Sequence, residues 1–204
     1  MIGPRHLVVF VKAPRLGTVK TRLAADVGVV EAWRFYRQST AAILGRVGRD
    51  PRWTCGLAVT PDSNAGHWPG DLPRRPQGTG DLGARMARVL REMPPGPVII
   101  IGTDIPDLTA GHVEDAFRAL ADKDMVFGPS PDGGFWLIGA RRRPPPRDLF
   151  RAVRWSSEHA LADTLTNLSP RLKLGFLDSL DDIDDGADYQ RWKANNNYRD
   201  SVFN

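Results

Sequence analysis

Several features that would assign this sequence to a particular class of protein are scarce or missing. Cys55 is the single cysteine among 204 residues, so no intrachain disulfide can form, and we expect a reducing, cytoplasmic environment. No run of apolar residues approaches the length of a membrane span, and the residues before Leu7 show no signal-peptide pattern. We therefore expect neither a membrane protein nor a secreted, disulfide-stabilised domain.

Two common catalytic arrangements are missing as well. The chain has four histidines, at His6, His67, His112 and His159. None of them belongs to a motif described below, so a nucleophile activated by histidine is not indicated. Lys20-Thr21 resembles the end of a P-loop, but Ala13 and Val19 stand where that motif needs glycine. The sequence therefore does not predict a P-loop nucleotidase.

Lysine is scarce, and most of the positive charge comes from arginine. The formal net charge is +4 and the sequence pI is about 9.6. Arginine suits phosphate and carboxylate groups, which its planar fork can bind with two hydrogen bonds. The densest basic run, Arg141 to Arg147, is interrupted by Pro144-Pro145-Pro146, which is typical of a solvated loop. Because no nucleic-acid-binding module accompanies it, we do not expect nucleic acid as a partner.

The stretch around which the chain is organised runs from Val98 to Pro106. Val98 to Ile101 is β-branched and apolar on both faces, which is typical of a buried strand in a parallel sheet. Gly102 ends the strand and Asp104 follows, at the strand end where open α/β sheets bind ligands. The alternative is that Asp104 caps the next helix, although Thr109 is better placed for that function.

Strands and helices alternate along the rest of the chain. Strands are predicted at Leu7–Val11, Trp53–Val59, Met125–Phe127, Phe135–Ile138 and Leu172–Leu177, and helices at 29–46, 83–93, 109–120, 158–168 and around Tyr189. Residues 61–76 read as irregular chain with room for a short helix. This pattern predicts one domain over residues 1–204, a three-layer α/β/α sandwich with a mainly parallel, twisted sheet. Residues 195–204 resemble a frayed tail.

A basic loop follows the first strand. Lys12, Arg15, Lys20 and Arg22 lie within eleven residues, and Pro14 and Gly17 shape the backbone between them. Such a loop suits a polyphosphate, although a solvated charged loop has the same composition.

Two turns rich in glycine and aspartate could also approach a ligand. The first, Gln77 to Gly83, precedes a helix, and Gln77, Gly78 and Asp81 could contact a nucleotide there; tight packing also demands glycine. The second, Asp132-Gly133-Gly134, precedes a strand, and turn chemistry alone would explain Asp132.

An acidic run lies near the end of the chain, between Asp178 and Asp188. Acidic runs are usually solvated, and Asp184 could cap the helix that carries Tyr189. In an extended segment, however, Asp182 and Asp184 point to the same side. One of them could therefore face a metal ion together with Asp104.

The combined motifs resemble the bacterial transferase-like family described as radical-SAM/selenodomain-associated, within the nucleotide-diphospho-sugar transferase (GT-A) superfamily. The resemblance extends from Val9 to about Trp192. It is carried by six short motifs in order: Phe10–Pro14 with Gly17–Leu23, Gln77–Met86, Gly102–Pro106, Gly128-Pro129 with Asp132-Gly133-Gly134, Trp155-Ser156 and Asp182-Ile183-Asp184. The departures are small: Ser157 stands in place of threonine, and Asp185-Gly186 in place of Thr-Pro.

The resemblance implies a GT-A fold and a divalent-metal-dependent glycosyl- or nucleotidyltransferase. More distant relatives are the 2-phospholactate and molybdopterin guanylyltransferases, of which the first has the more similar basic loop. Asp104 and Asp184 would then hold Mg²⁺ or Mn²⁺, and Asp104, Lys20 and Asp132 would serve catalysis. Donor-binding residues would be Lys12, Pro14, Gly17, Lys20, Thr21, Arg22, Gln77, Gly78, Asp81 and Thr103. The partners would be a nucleotide or nucleotide-sugar donor and an unknown small acceptor. The alternative is a non-catalytic nucleotide-binding or scaffold protein.

Overall fold

The computed structural model describes residues 3–63, 71–141 and 148–202, with side chains as far as residue 195. The strands are β1 (His6–Lys12), β2 (Thr54–Thr60), β3 (Arg74–Pro76), β4 (Val98–Ile101), β5 (Met125–Pro129), β6 (Phe135–Ala140) and β7 (Leu174–Phe176). The helices are α1 (Thr21–Val27), α2 (Val29–Val47), α3 (Leu82–Glu92), α4 (Ala110–Ala119), α5 (Ala160–Thr166) and α6 (Gly186–Val202). None of these helices combines the length and apolar character needed to cross a bilayer.

The seven strands form one sheet in the order β3-β2-β1-β4-β6-β5-β7. β3, β2, β1 and β4 pair in parallel, and β5 pairs in parallel with β7, whereas β6 runs antiparallel to both of its neighbours. The four residues of β4 are all buried, since β-branched side chains cover both faces of this strand. The predicted, mainly parallel sheet is confirmed, with β6 as its one antiparallel strand among the described residues.

Helices cover both faces of the sheet, and each face has its own apolar core. On one face α2 and α4 pack against residues such as Leu7, Val9, Ile99 and Ile101. On the other, α3 and α5 pack against residues such as Val8, Ile100, Phe127 and Ile138. The three-layer α/β/α architecture expected from the sequence is therefore confirmed. Cys55 lies in the first core, where burial raises the pKa of its thiol to about 12, as expected for a small apolar residue.

A third, smaller apolar cluster joins α1 and α2 to the acidic run and α6. Leu23 of α1 and Phe35 of α2 pack with Ile183 and Tyr189, and the ring of Phe35 lies edge-on to that of Tyr189 at 5.5 Å between centroids. The Tyr189 hydroxyl also donates a hydrogen bond to Glu31. This cluster places the acidic run beside the basic loop, although the two are far apart in sequence.

Most predicted elements are confirmed, and the differences have local causes. β3 was not predicted, because Arg74–Pro76 gains its strand character by pairing with β2 rather than from its own sequence. α5 begins at Ala160 rather than at residue 158, since the Ser157 hydroxyl bonds back to the Arg154 carbonyl. α6 continues to Val202, into the segment 195–204 for which a frayed tail is predicted.

One helix cap is formed by the predicted residue, and another is formed by a neighbour of the residue that the sequence suggested. Thr109 caps α4 through a reciprocal capping box with His112, as predicted, so Asp104 is not needed as a cap. At α6 the capping carboxylate belongs to Asp185, which accepts from the backbone N–H groups of Ala187 and Asp188. Asp184 is thereby left for interactions within the site.

Candidate functional site

The site lies at the edge of the sheet where β1 and β4 end. Asp104 follows β4, and its backbone carbonyl accepts a 3.0 Å hydrogen bond from the Ile183 N–H. That bond holds the extended acidic segment alongside the end of β4. Asp182 and Asp184, on either side of Ile183, consequently reach the same cavity as Asp104, as the alternation of the sequence predicted.

Lys20 joins the two aspartates that the resemblance implies as metal ligands. Its ammonium Nζ donates to Asp104 Oδ2 at 3.0 Å and to Asp184 Oδ1 at 2.7 Å. The second oxygen of Asp184 accepts from Arg22 Nη1 at 3.2 Å. The Lys20 side chain is only 9% exposed, whereas that of Arg22 is 58% exposed. The basic loop and the acidic run therefore meet in one ion-pair network.

Charge compensation in this network changes the acidity of its members. Burial by itself would lower the pKa of Lys20, but Asp104 and Asp184 outweigh that effect and raise it. Burial would likewise raise the pKa of Asp184, but Lys20 and then Arg22 hold that pKa below its usual value. Lys20 is thus a fixed cation and Asp184 a fixed anion near neutral pH.

Three carboxylates form a cluster at the same edge, which shares Asp184 with the ion-pair network. One oxygen each from Asp132, Asp182 and Asp184 lies within 4.8 Å of the others. Burial, followed by the negative charges of Asp132, Asp104 and Asp184, raises the pKa of Asp182 to about 7. The cluster thus concentrates negative charge that a divalent cation could neutralise, and oxygen ligands of this kind suit Mg²⁺ and Mn²⁺.

The raised pKa of Asp182 makes the stability of the metal-free protein depend on pH. Between the ordinary aspartate value and about 7 the folded state holds a proton that the unfolded state has lost, so this contribution to stability falls as pH rises. We expect Asp182→Asn to raise the melting temperature at pH 8 by about 2–4 °C, the shift that about 1 kcal/mol gives at this size. The gain should be smaller at pH 5 and should disappear only below the ordinary aspartate value of 3.8, where Asp182 is protonated in both the folded and the unfolded state.

Calorimetry in EDTA at both pH values measures this difference. Asp181→Asn is the matched control, since Asp181 is an exposed member of the same acidic run. An equal gain at pH 5 and pH 8 would contradict a role for the ionised carboxylate.

Helix α2 fixes the start of the basic loop. The Tyr36 hydroxyl accepts from the Lys12 N–H at 2.7 Å and donates to the Lys12 carbonyl at 2.8 Å. The indole N–H of Trp33 donates to the carbonyl of Pro14 at 2.6 Å. Gly17 adopts φ +75°, which glycine tolerates without strain, whereas Lys20 adopts φ +48° immediately before α1.

Two cavities meet at the ion-pair network. A cavity of about 270 Å³ lies over the basic loop and is lined by residues that include Thr18, Lys20 and Thr21. A second, of about 400 Å³, extends across the sheet edge towards Phe135 and Trp155. The residues common to both are Lys12, Arg22, Tyr36, Asp104 and Asp184. A ligand could therefore lie across the network, with one end over cations and the other in a largely apolar space.

The glycine-rich turn before α3 is held mainly by its own chain. The Gln77 amide donates to the carbonyls of Val11 and Ala58, and this side chain is buried although it borders the larger cavity. The Gly78 N–H donates to Asp62, and Asp81 caps α3 by accepting from the Ala84 N–H at 2.8 Å. Structural hydrogen bonds thus occupy these groups, and Gly78 and Asp81 do not line the cavity.

The other predicted residues fall into two groups. Thr103 and Asp132 line the larger cavity and Thr21 the smaller, whereas Pro14 and Gly17 shape the loop without lining either. Asp132 makes the turn hydrogen bond that the sequence offered as one explanation, since its Oδ1 accepts from the Gly134 N–H at 2.8 Å, and it also belongs to the carboxylate cluster.

The far end of the larger cavity was not predicted as a site. Trp155 and Ser156 line it together with Phe135 and Met86, and Ser156 adopts φ +57°. A side chain at Gly83 would come within 2.7 Å of the Trp155 ring, so glycine is needed for that ring to lie where it does. Trp155-Ser156 was recognised only as a motif of the resemblance, because periodicity does not show which way an aromatic side chain in a loop points.

The chain is similar to known proteins in sequence and in structure. A family model described as "Uncharacterized protein conserved in bacteria (DUF2064)" matches residues 43–157. No curated protein matches the sequence. Among solved structures, a protein of Desulfovibrio desulfuricans G20, provisionally named a nucleotide-diphospho-sugar transferase, is 27% identical with a TM-score of 0.78, covering 89% of this chain and 82% of its own.

Two more distant structures share the fold. The CMP:2-keto-3-deoxy-manno-octonic acid synthetase complexed with CTP is 12% identical with a TM-score of 0.57, covering 97% of this chain and 100% of its own. Rv0371c of Mycobacterium tuberculosis H37Rv, solved with manganese, is 16% identical with a TM-score of 0.50, covering 93% of this chain and 97% of its own. The fold is therefore that of nucleotide-diphospho-sugar transferase-like proteins.

Proposed function

The chain belongs to the bacterial DUF2064 family, and we propose a function for it from its site. The protein is a divalent-metal-dependent transferase that uses a nucleotide-activated donor, either a nucleoside triphosphate or a nucleotide-sugar. The observation that carries this proposal is the network in which Lys20 and Arg22 meet Asp104 and Asp184 between two cavities.

The two cavities differ in the chemistry that they can bind. Lys12, Lys20 and Arg22 border the smaller one and suit the donor phosphates, because an ammonium or guanidinium group forms strong hydrogen bonds with phosphate oxygens. The larger cavity, with its apolar and aromatic lining, has room for a nucleoside or for the acceptor. Asp104 and Asp184 line both cavities, so they lie where the group would pass from the donor to the acceptor.

The residues present fit a divalent metal ion. Asp132, Asp182 and Asp184 offer oxygens close together, with Asp104 near enough to raise the pKa of Asp182. We propose Asp184 as the shared ligand, with Asp104 or with Asp182. A bound Mg²⁺ or Mn²⁺ would neutralise negative charge on the donor phosphates. The manganese in the related Rv0371c structure supports a metal of this class.

The chain's own residues would then supply binding and orientation. Lys20 and Arg22 hold the phosphates of the leaving group, and Lys12 borders both cavities to hold the phosphate between them. The oxygen of an acceptor hydroxyl in the larger cavity attacks the α-phosphorus of a nucleoside triphosphate or the anomeric carbon of a nucleotide-sugar and forms a bond to that atom. The bond to the leaving group breaks with its electron pair, and the acceptor proton passes to the Asp132 carboxylate. Positioning both substrates supplies much of the rate enhancement.

The leaving group distinguishes the two possible donors. Incubation with labelled nucleoside triphosphates and nucleotide-sugars, in a cell extract that supplies acceptors, should release pyrophosphate in nucleotidyl transfer or a nucleoside diphosphate in glycosyl transfer. The names of structurally similar proteins support both classes. No turnover of any donor, with and without Mn²⁺, would overturn the proposal.

Donor binding is expected to depend on metal through Asp104. With Mn²⁺ and a bound nucleotide, the melting temperature of the wild type should rise by several degrees, about 2.7 kcal/mol at one hundred times the dissociation constant. Asp104→Asn should remove most of that rise, because the substitution removes one carboxylate charge from the network. Thermal shift with a panel of nucleotides measures the effect. Equal, metal-independent stabilisation of both proteins, together with no turnover, would instead indicate a nucleotide-binding or scaffold protein.

A further inference from the structure

We propose that Lys20 makes metal binding depend on donor binding, because its ammonium group occupies the carboxylates that the metal needs until phosphate draws it away. This inference rests on the proposed function, and in particular on a metal ion bound through Asp184. Lys20 would thereby act as an internal substitute for the metal in the empty site.

The carboxylate oxygens that face the network are already engaged. Asp184 Oδ1 accepts from Lys20 at 2.7 Å and Oδ2 from Arg22 at 3.2 Å, while Asp104 Oδ2 accepts from Lys20 at 3.0 Å. A divalent cation at Asp184 must displace at least one of these donors. If Lys20 stayed in contact with the same carboxylates, two like charges would lie a few ångströms apart, at a cost of about 4 kcal/mol for unit charges near a protein surface.

The ammonium group of Lys20 cannot simply move out into solvent. Its side chain is 9% exposed, and the backbone at this residue is held at φ +48° before α1. An ammonium group that leaves its carboxylates within a buried site loses their compensation and regains little hydration. Arg22 is different, because its side chain is 58% exposed and can move freely into solvent.

An anion in the smaller cavity removes this obstacle. Lys20 already borders that cavity, together with Thr18, Thr21 and Arg22. Phosphate oxygens placed there give Lys20 a new partner and leave Asp104 and Asp184 available to the metal. The metal and the phosphates should therefore each increase the affinity for the other, and by linkage the two increases are equal.

Manganese binding to the intact protein tests this coupling between metal and phosphate without a measurement of turnover. The electron paramagnetic resonance signal of free Mn²⁺ gives the dissociation constant with and without inorganic phosphate, a weak chelator that stands in for the donor. In the wild type, phosphate should increase Mn²⁺ affinity at least about fivefold, the lower end of ordinary coupling between sites. In Lys20→Met, Mn²⁺ alone should bind about tenfold more tightly than in the wild type, and phosphate should add little.

Two further variants control for charge and for folding. Arg15→Met removes a cation from an exposed part of the same loop and should leave Mn²⁺ affinity within about twofold, the size of an ordinary surface effect. Lys20→Arg keeps the cation and should keep Mn²⁺ binding weak until phosphate is added, which shows the effect even if Lys20→Met folds poorly.

The outcomes separate the two proposals. If Mn²⁺ binds equally well to the wild type, Lys20→Met and Lys20→Arg, the inference is overturned while a metal-dependent function stands. If Mn²⁺ binds to none of them, with or without phosphate, the metal site itself is overturned and this inference with it. Weaker Mn²⁺ binding to Lys20→Met would show that Lys20 supports the metal site rather than competing for it.

Discussion

Asp184→Asn is expected to lower the rate of the proposed transfer by about a thousandfold, the upper range for losing one preorganised charged group in an active site. The substitution removes a carboxylate charge from the point where Lys20 and Arg22 meet, and where we propose that the metal binds. It also leaves Lys20, with a side chain only 9% exposed, compensated by Asp104 alone. Both the metal ion and the cationic side of the site therefore lose their shared partner.

Three measurements check this expectation. Single-turnover kinetics with the donor that the labelling assay selects report the rate, Mn²⁺ titration reports metal binding, and calorimetry reports the fold. Asp181→Asn is the matched control, since it removes the same charge from an exposed position that lines neither cavity. Retention of a tenth or more of the wild-type rate by Asp184→Asn would remove Asp184 from the metal site that we propose.

Gly133→Ala is expected to lower the free energy of unfolding by about 3 kcal/mol, from left-handed backbone strain and from overpacking together. Gly133 adopts φ +84°, and a Cβ atom there would lie 2.1 Å from the carbonyl oxygen of Glu158. The carbonyl of Gly133 also accepts from the Leu161 N–H at 3.0 Å, so the turn cannot move away without losing that bond to α5.

For a chain of this size the change corresponds to a fall in melting temperature of about 6–12 °C. Gly45→Ala is the matched control, since Gly45 is exposed within α2 and has no atom within 4 Å of an added Cβ. That control should gain about 0.5–1 kcal/mol. Since Asp132 is next to Gly133, Mn²⁺ binding should weaken in Gly133→Ala and stay unchanged in Gly45→Ala. A change in unfolding free energy of under 0.5 kcal/mol would show that the turn relaxes easily.

Local sequence signals were sufficient for much of the fold. A run such as Val98–Ile101 can bury both faces only in the middle of a covered sheet, and Thr109 is followed three residues later by His112, which completes its cap. The reversal of β6 was not predictable in the same way, since a buried strand such as Phe135–Ala140 has the same composition in either direction. β3 depends on its partner β2 for its strand character.

In the candidate site, too, features that follow from a single element were predictable, whereas features that depend on tertiary packing were not. Asp104 was predictable because its position at the end of a central strand follows from the strand itself. The interactions of Lys20 were not, since they depend on α1 and on the third cluster, which brings Ile183 against Leu23. The convergence of Asp132 with Asp182 likewise depends on tertiary packing, and no spacing in the sequence encodes it. Asp81 is predicted from the sequence as a nucleotide contact; its cap of α3, a hydrogen bond accepted from the Ala84 N–H, was not predicted.

The hydrogen bond from the Ile183 N–H to the Asp104 carbonyl has a consequence for synthesis of the protein. Lys20 and Asp184 are 164 residues apart, so a chain growing on the ribosome carries its basic loop long before the carboxylate that completes the site. Until the ribosome has translated the codon for Asp184, the nascent chain lacks one of the two carboxylates that accept from Lys20 in the folded protein. An incomplete nascent chain therefore cannot form the complete site at which we propose that the metal and the donor bind.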